Sequence, residues 1–124
     1  MVLTAPMAQA SPCTELIRFS TGAEMPEGAT CTTSRMLGGA HSVDCRWSYP
    51  YRDILARHAF EDLLAMVMQC TDEEIVENGA RVNHPDSYDL RQFRLGENVV
   101  SLSLKDKGAL GQSLVFLRAS QPAS

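Results

Sequence analysis

The chain is poor in aromatics, carries no basic block, and has no apolar run near the ~18–20 residues that a membrane span requires. Net charge is −4 and only 6% of residues are aromatic, so the electrostatic and stacking signature of a nucleic-acid binder is missing. Metal and cofactor motifs are missing too. Cys13, Cys31, Cys45 and Cys70 lie 18, 14 and 25 residues apart, which is neither C-x2-C nor C-x4-C. There is no H-x-x-x-H, no H-E-x-x-H and no calcium loop. No serine has the G-x-S-x-G elbow setting. Gly108-Ala109-Leu110-Gly111 follows a strand but opens another strand, so it is not a phosphate loop. No repeat or low-complexity segment is present, and no cofactor is implied.

What remains is ordinary globular composition, 44% hydrophobic and 21% charged over 124 residues, enough for one domain with a real core. Four cysteines without metal spacing point to disulfides, and so to an oxidising compartment. Residues 1–10 end in Ala8-Gln9-Ala10, a signal-peptidase pattern, although the basic n-region is missing. They read as a signal-peptide remnant or a disordered tail, with the mature chain starting near Ser11 in the periplasm or outside the cell. Ala10-Ser11-Pro12 ahead of Cys13 argues against a lipid anchor there.

The most informative stretch runs from Cys45 to Cys70. Val43, Cys45, Trp47 and Tyr49 alternate with Asp44, Arg46 and Ser48, the pattern of a half-buried strand. Pro50 ends that strand and suits the first turn of a helix. From about Tyr51 the period becomes helical: Ala56, Phe60, Leu63, Val67 and Cys70 form one stripe, which Leu55, Ala59 and Met66 widen. Asp53–Arg57, Arg57–Glu61 and His58–Asp62 are the i,i+4 pairs of the opposite face. Both periodicities aim Cys45 and Cys70 inward.

Residues 11–28 are turn-rich around Leu16-Ile17-Arg18-Phe19 and suggest a short strand at most. Residues 29–37 are β-prone through their threonines. A two-residue turn at Gly38-Gly39 would set Cys31 opposite Arg46, whereas a three-residue loop would set it opposite Cys45. The Gly-Gly turn is favoured, and with it the pairing Cys45–Cys70 plus Cys13–Cys31. Thr71-Asp72-Glu73-Glu74 resembles a capping box opening one helical turn, with a short strand over 75–77 nearly as good. Asn83-His84-Pro85-Asp86-Ser87 is a turn by chemistry. Tyr88–Leu95, Asn98–Lys105 and Ser113–Ala119 read as strands. Of these, Leu114-Val115-Phe116-Leu117 has the double-sided apolarity of a strand covered on both faces. The expected fold is α+β: an antiparallel β-sheet in β-β-α-β-β-β order, with one long helix packed on a face and disulfide staples. It forms a single domain over 11–119, with a frayed tail over 120–124.

Candidate site residues are few. His84, Asp86 and Asp89 form the most site-like cluster, since histidine titrates near neutrality and carboxylates can orient it. The favoured reading of His84 is nonetheless a turn residue. Lys105 and Lys107 flank a hairpin end and could clamp an anion, or could simply solvate that loop. Arg91 and Arg94 fall on opposite faces of one strand. If Arg46, Arg94 and Lys105 shared the exposed sheet face, they would form an anion-binding surface. Trp47, Tyr49 and Tyr51 could line a small pocket, but core packing beside a disulfide is the favoured reading. The expectation is a periplasmic or secreted binding protein without catalysis of its own. Its partner would be a protein or a small anionic ligand, with no nucleic acid and no transmembrane segment. The alternative is a small hydrolase or metal-dependent enzyme using His84, Asp86 and Lys105 or Lys107.

Overall fold

The structure, a computed structural model, describes residues 12–35, 39–75 and 88–121. In chain order the elements are α1 (Pro12–Ser20), β1 (Thr30–Arg35), β2 (His41–Pro50), α2 (Ile54–Cys70), β3 (Glu73–Ile75), β4 (Tyr88–Leu95), β5 (Asn98–Lys107), a 3-10 turn (Gly108–Leu110) and β6 (Gln112–Gln121). The strands form one six-stranded antiparallel sheet in the order β1-β2-β6-β5-β4-β3. Both helices lie on one face of it, with α2 against β2, β4, β5 and β6, and α1 against β2, β6 and α2. This is the α+β architecture expected, extended by α1 and by the short edge strand β3.

The alternation of β2 reads through the whole sheet. Val43 and Cys45 share the helix-covered face with Val100, Leu102 and Leu104 of β5 and with Val115, Leu117 and Ala119 of β6, all buried. From α2 come Ala56, Phe60 and Val67, the stripe anticipated from its spacing, with Leu63 half-buried. Each fully buried Val, Leu or Phe among them contributes about 1.5–3 kcal/mol by leaving water, and the alanines less. Leu55, expected at the edge of the stripe, is instead exposed.

The boundaries of α2 are set by caps. Pro50 stays in β2, paired with Gln112, rather than opening the helix. Tyr51 and Arg52 make the turn, with Arg52 at φ 55°. Asp53 then caps α2, its Oδ1 accepting from the Leu55 N–H at 2.8 Å. Thr71 closes α2 and does not cap a new helix: its hydroxyl donates to the Val67 carbonyl at 2.7 Å. Asp72 is tied to the far hairpin, its N–H donating to the Arg94 carbonyl at 2.8 Å and its carboxylate accepting from the Gly96 N–H at 3.0 Å. Those bonds feed the chain into β3 as an edge strand. Arg57 pairs across elements with Asp89 at 3.1 Å rather than along the helix.

Three further expectations are corrected. Residues 12–20 are a helix, because Leu16 and Phe19 at i,i+3 are both buried while Ile17 points outward. β6 continues through Ser120 and Gln121, which pair with Ser42 and His41. The disulfides are Cys31–Cys45 and Cys13–Cys70, not Cys45–Cys70 and Cys13–Cys31. The reason is register. Arg35 pairs with His41, so Cys31 falls directly across from Cys45, one residue out of step with a Gly38-Gly39 turn. Once those two are joined, Cys70 at the end of α2 meets Cys13 in the first turn of α1, Cα atoms 5.1 Å apart.

Candidate functional site

The helix-free face of the sheet gathers the cations that the sequence scattered. Strand register places Arg46 of β2, Phe116 of β6, Ser103 of β5 and Leu90 of β4 along one row on that face. Lys105 pairs with Leu114, Arg118 with Ser101, and Arg94 with Val99, all of the same parity. Lys107, opposite Gln112, completes the set. Arg46, Arg94 and Lys105 thus share one face and Arg118 joins them, with Arg94 at the Val99 end of β5, away from Lys105.

Among the described residues, five cations (Arg46, Arg94, Lys105, Lys107 and Arg118) stand on this face against two carboxylates, Asp44 and Glu73. The face is thus net positive on a chain whose net charge is −4. Its floor is apolar. Phe116, Leu114 and Leu90 are half-buried, and the Lys105 ammonium sits 5.0 Å from the Phe116 ring centroid. Leu90, Phe116, Ser101, Ser103, Lys105 and Arg118 surround a shallow depression of about 340 Å³, which the Asp44 carboxylate and Gln92 also line. Gln92 donates to the Ser101 hydroxyl at 3.2 Å.

The two carboxylates only partly offset these cations. Asp44 lies 3.6 Å from the Arg118 guanidinium and Glu73 lies 3.6 Å from that of Arg94, with both pairs open to water. Such exposed pairs are worth about 0–1 kcal/mol, so an incoming anion can displace them. Arg46 has no carboxylate within 4.0 Å among the described residues. Leu114 and Phe116 were expected beneath a second covering layer. No described helix lies over them, and the Lys105 ammonium over the Phe116 ring shields part of that floor.

The helix side carries different polar groups. Arg91 holds Glu74 through Nε to Oε2 at 2.5 Å and Nη2 to Oε1 at 2.8 Å. Those hydrogen bonds pull the Glu74 carboxyl below the ordinary carboxylate range and raise the Arg91 guanidinium. Ser113 is fully buried, donating to Asp106 Oδ1 at 2.5 Å and accepting from the Arg52 N–H at 2.8 Å. Buried and bonded on both sides, it is a structural hydroxyl that no substrate can reach. Among the described residues no group of three His, Cys, Asp or Glu is placed to hold a metal.

His84 and Asp86 lie outside the described residues. Asp89 faces the helix side, paired with Arg57, away from Lys105 and Lys107. Trp47 lines an apolar cleft between α1 and α2, which neither Tyr49 nor Tyr51 lines. The cation at 118 was readable in part, because it follows Phe116 at the strand period of two. Its proximity to Arg46 and Lys105 was not, because that depends on strand order.

Fold and surface together define a small, disulfide-stapled α+β sheet protein with one basic, apolar-floored face. Comparison of the chain with protein-family models, with curated proteins and with solved structures finds no match.

Proposed function

We propose that this is a small binding protein of the periplasm or extracellular space that engages an anionic partner through the open face of its sheet, without catalysis of its own. The observation that carries the reading is the segregation of charge: an acidic chain collects Arg46, Lys105 and Arg118 around Phe116 on one surface that no described helix covers. Cations around an apolar floor suit an anion that also offers apolar surface, such as an acidic peptide with hydrophobic residues. The compartment is supported by the pairing of all four cysteines. No described helix is long and apolar enough to cross a membrane.

The test is an NMR titration of labelled protein with a short Glu/Leu peptide, and with a Lys/Leu peptide as control. The reading expects amide shifts on β2, β5 and β6 with the acidic peptide, weakening as salt is raised. Arg46→Glu with Lys105→Glu should abolish them. Shifts that survive this double reversal, or that map to α2 instead, would sink the proposal. The enzymatic alternative keeps a distinct signature, namely stoichiometric metal or turnover lost on His84→Ala.

A further inference from the structure

A second feature lies on the other side of the sheet, independent of the basic face. Between α1 and α2 the core is incompletely filled, leaving a cleft of about 110 Å³ that opens at the loop after α1. Its lining runs from buried Leu117 and half-buried Trp47, Leu63 and Met66 to exposed Met25 and Glu15 with half-buried Glu24, so the first two make its floor, the two glutamates mark its mouth and Met25 its lid. We infer that this cleft is a binding site for a small hydrophobic cation, an aryl- or alkylammonium carrying a single ring or a short branched chain.

Size sets the first limit. An engineered apolar cavity of ~150 Å³ accepts one benzene, so this cleft holds one ring at most, with a charged end left at the mouth. The floor sets the second. The Trp47 indole N–H already donates to the Glu27 carbonyl at 3.1 Å, so the ring offers the cleft π surface and no donor. That favours a cation and gives a carboxylate nothing to bind. Charge sets the third. Glu15 has no ionic partner among the described residues. Glu24 is held 3.4 Å from Arg18, a pair that is half in water. Arg18 thus competes for Glu24 from outside, and a ligand cation competes from within. The lid is adaptable: Met25 is 40% exposed and rests 4.0 Å from the Cys45 sulfur, and Met66 can shift to fit a ring.

Trp47 is the only tryptophan in the chain, so its fluorescence reports on this site alone. Phenethylammonium, 2-phenylethanol and 3-phenylpropionate present the same ring with positive, neutral and negative ends. Titration should give saturable change for the ammonium, accompanied by shifts of the Met25 and Met66 methyl signals. The alcohol should bind about fivefold to tenfold more weakly, as a partly desolvated cation–π and carboxylate contact implies, and the carboxylate weaker still. Glu15→Gln with Glu24→Gln should shrink the preference for charge to what the Trp47 ring supplies, while Arg18→Gln should strengthen ammonium binding by freeing Glu24. Equal affinity for all three ligands, no saturable response to the ammonium, or weaker binding in Arg18→Gln would each overturn the inference.

Discussion

Removing the Cys13–Cys70 bond should harm the fold more than removing Cys31–Cys45, and in a different way. The two bonds close loops of very different length, with sequence separations of 57 and 14. In the chain-entropy model these correspond to roughly 4 and roughly 3 kcal/mol of stabilisation. The longer bond also has a local role. α1 has nine residues, well short of the ~12–15 at which an isolated helix begins to hold in water. Without Cys13–Cys70 its docking would rest on Leu16 and Phe19, whose burial is worth about 1.5–3 kcal/mol each. Ordering nine residues of backbone costs more than two buried side chains return, so the docked helix leans on the disulfide. Cys13→Ser with Cys70→Ser should therefore release α1 before the sheet melts, uncovering Trp47. Cys31→Ser with Cys45→Ser should lower the midpoint without that early step, since β1 is an edge strand whose loss leaves the helix layer in place. Urea unfolding followed by Trp47 fluorescence and by far-UV circular dichroism separates the two cases. The first variant should show a fluorescence change that precedes the dichroism change, and the second should show coincident curves. The reasoning fails if the Cys31/Cys45 variant is the less stable one, or if non-reducing peptide maps recover Cys45 joined to Cys70.

Two further outcomes follow from the polar contacts on the helix side. Arg91 donates two hydrogen bonds to ionised Glu74, so the Glu74 carboxyl titrates lower in the folded chain than in the unfolded one. A lowered folded value means that this stability is fully present above the unfolded value near ~4.3 and lost as pH falls through the folded value. Both side chains are about a third exposed, so Glu74→Gln should cost about 0.5–1 kcal/mol at neutral pH and nothing in strongly acidic buffer. An equal deficit at both pH values would contradict that. Ser113→Ala leaves the Arg52 N–H and one Asp106 oxygen without the hydroxyl between them. It should cost about 1–3 kcal/mol in denaturant titrations, and a loss below ~0.5 kcal/mol would place Ser113 outside any structural role.

The sequence by itself determined the elements whose signal is local. The alternation from Val43 to Tyr49 and the stripe Ala56–Phe60–Leu63–Val67 each repeat often enough to name an element and its buried face. The meander of β4, β5 and β6 was legible for the same reason, as was the placing of Arg91 and Arg94 on opposite faces. α1 was missed although its signals were present: Pro12 at the first helical position, Glu15 in the first turn and Arg18 in the last. With only Leu16 and Phe19 buried, nine residues hold too few repeats to outweigh the flanking turn residues. Tertiary structure alone decided the rest. A single step of register between β1 and β2 moved Cys31 from opposite Arg46 to opposite Cys45, and so redistributed both disulfides. The basic face has the same origin. Period two tells which residues of one strand share a face, but only the order β2-β6-β5-β4 brings Arg46, Arg118, Lys105 and Arg94 onto one surface. Strand order is set by which apolar faces pack together across the whole chain, and no window of sequence contains that sum.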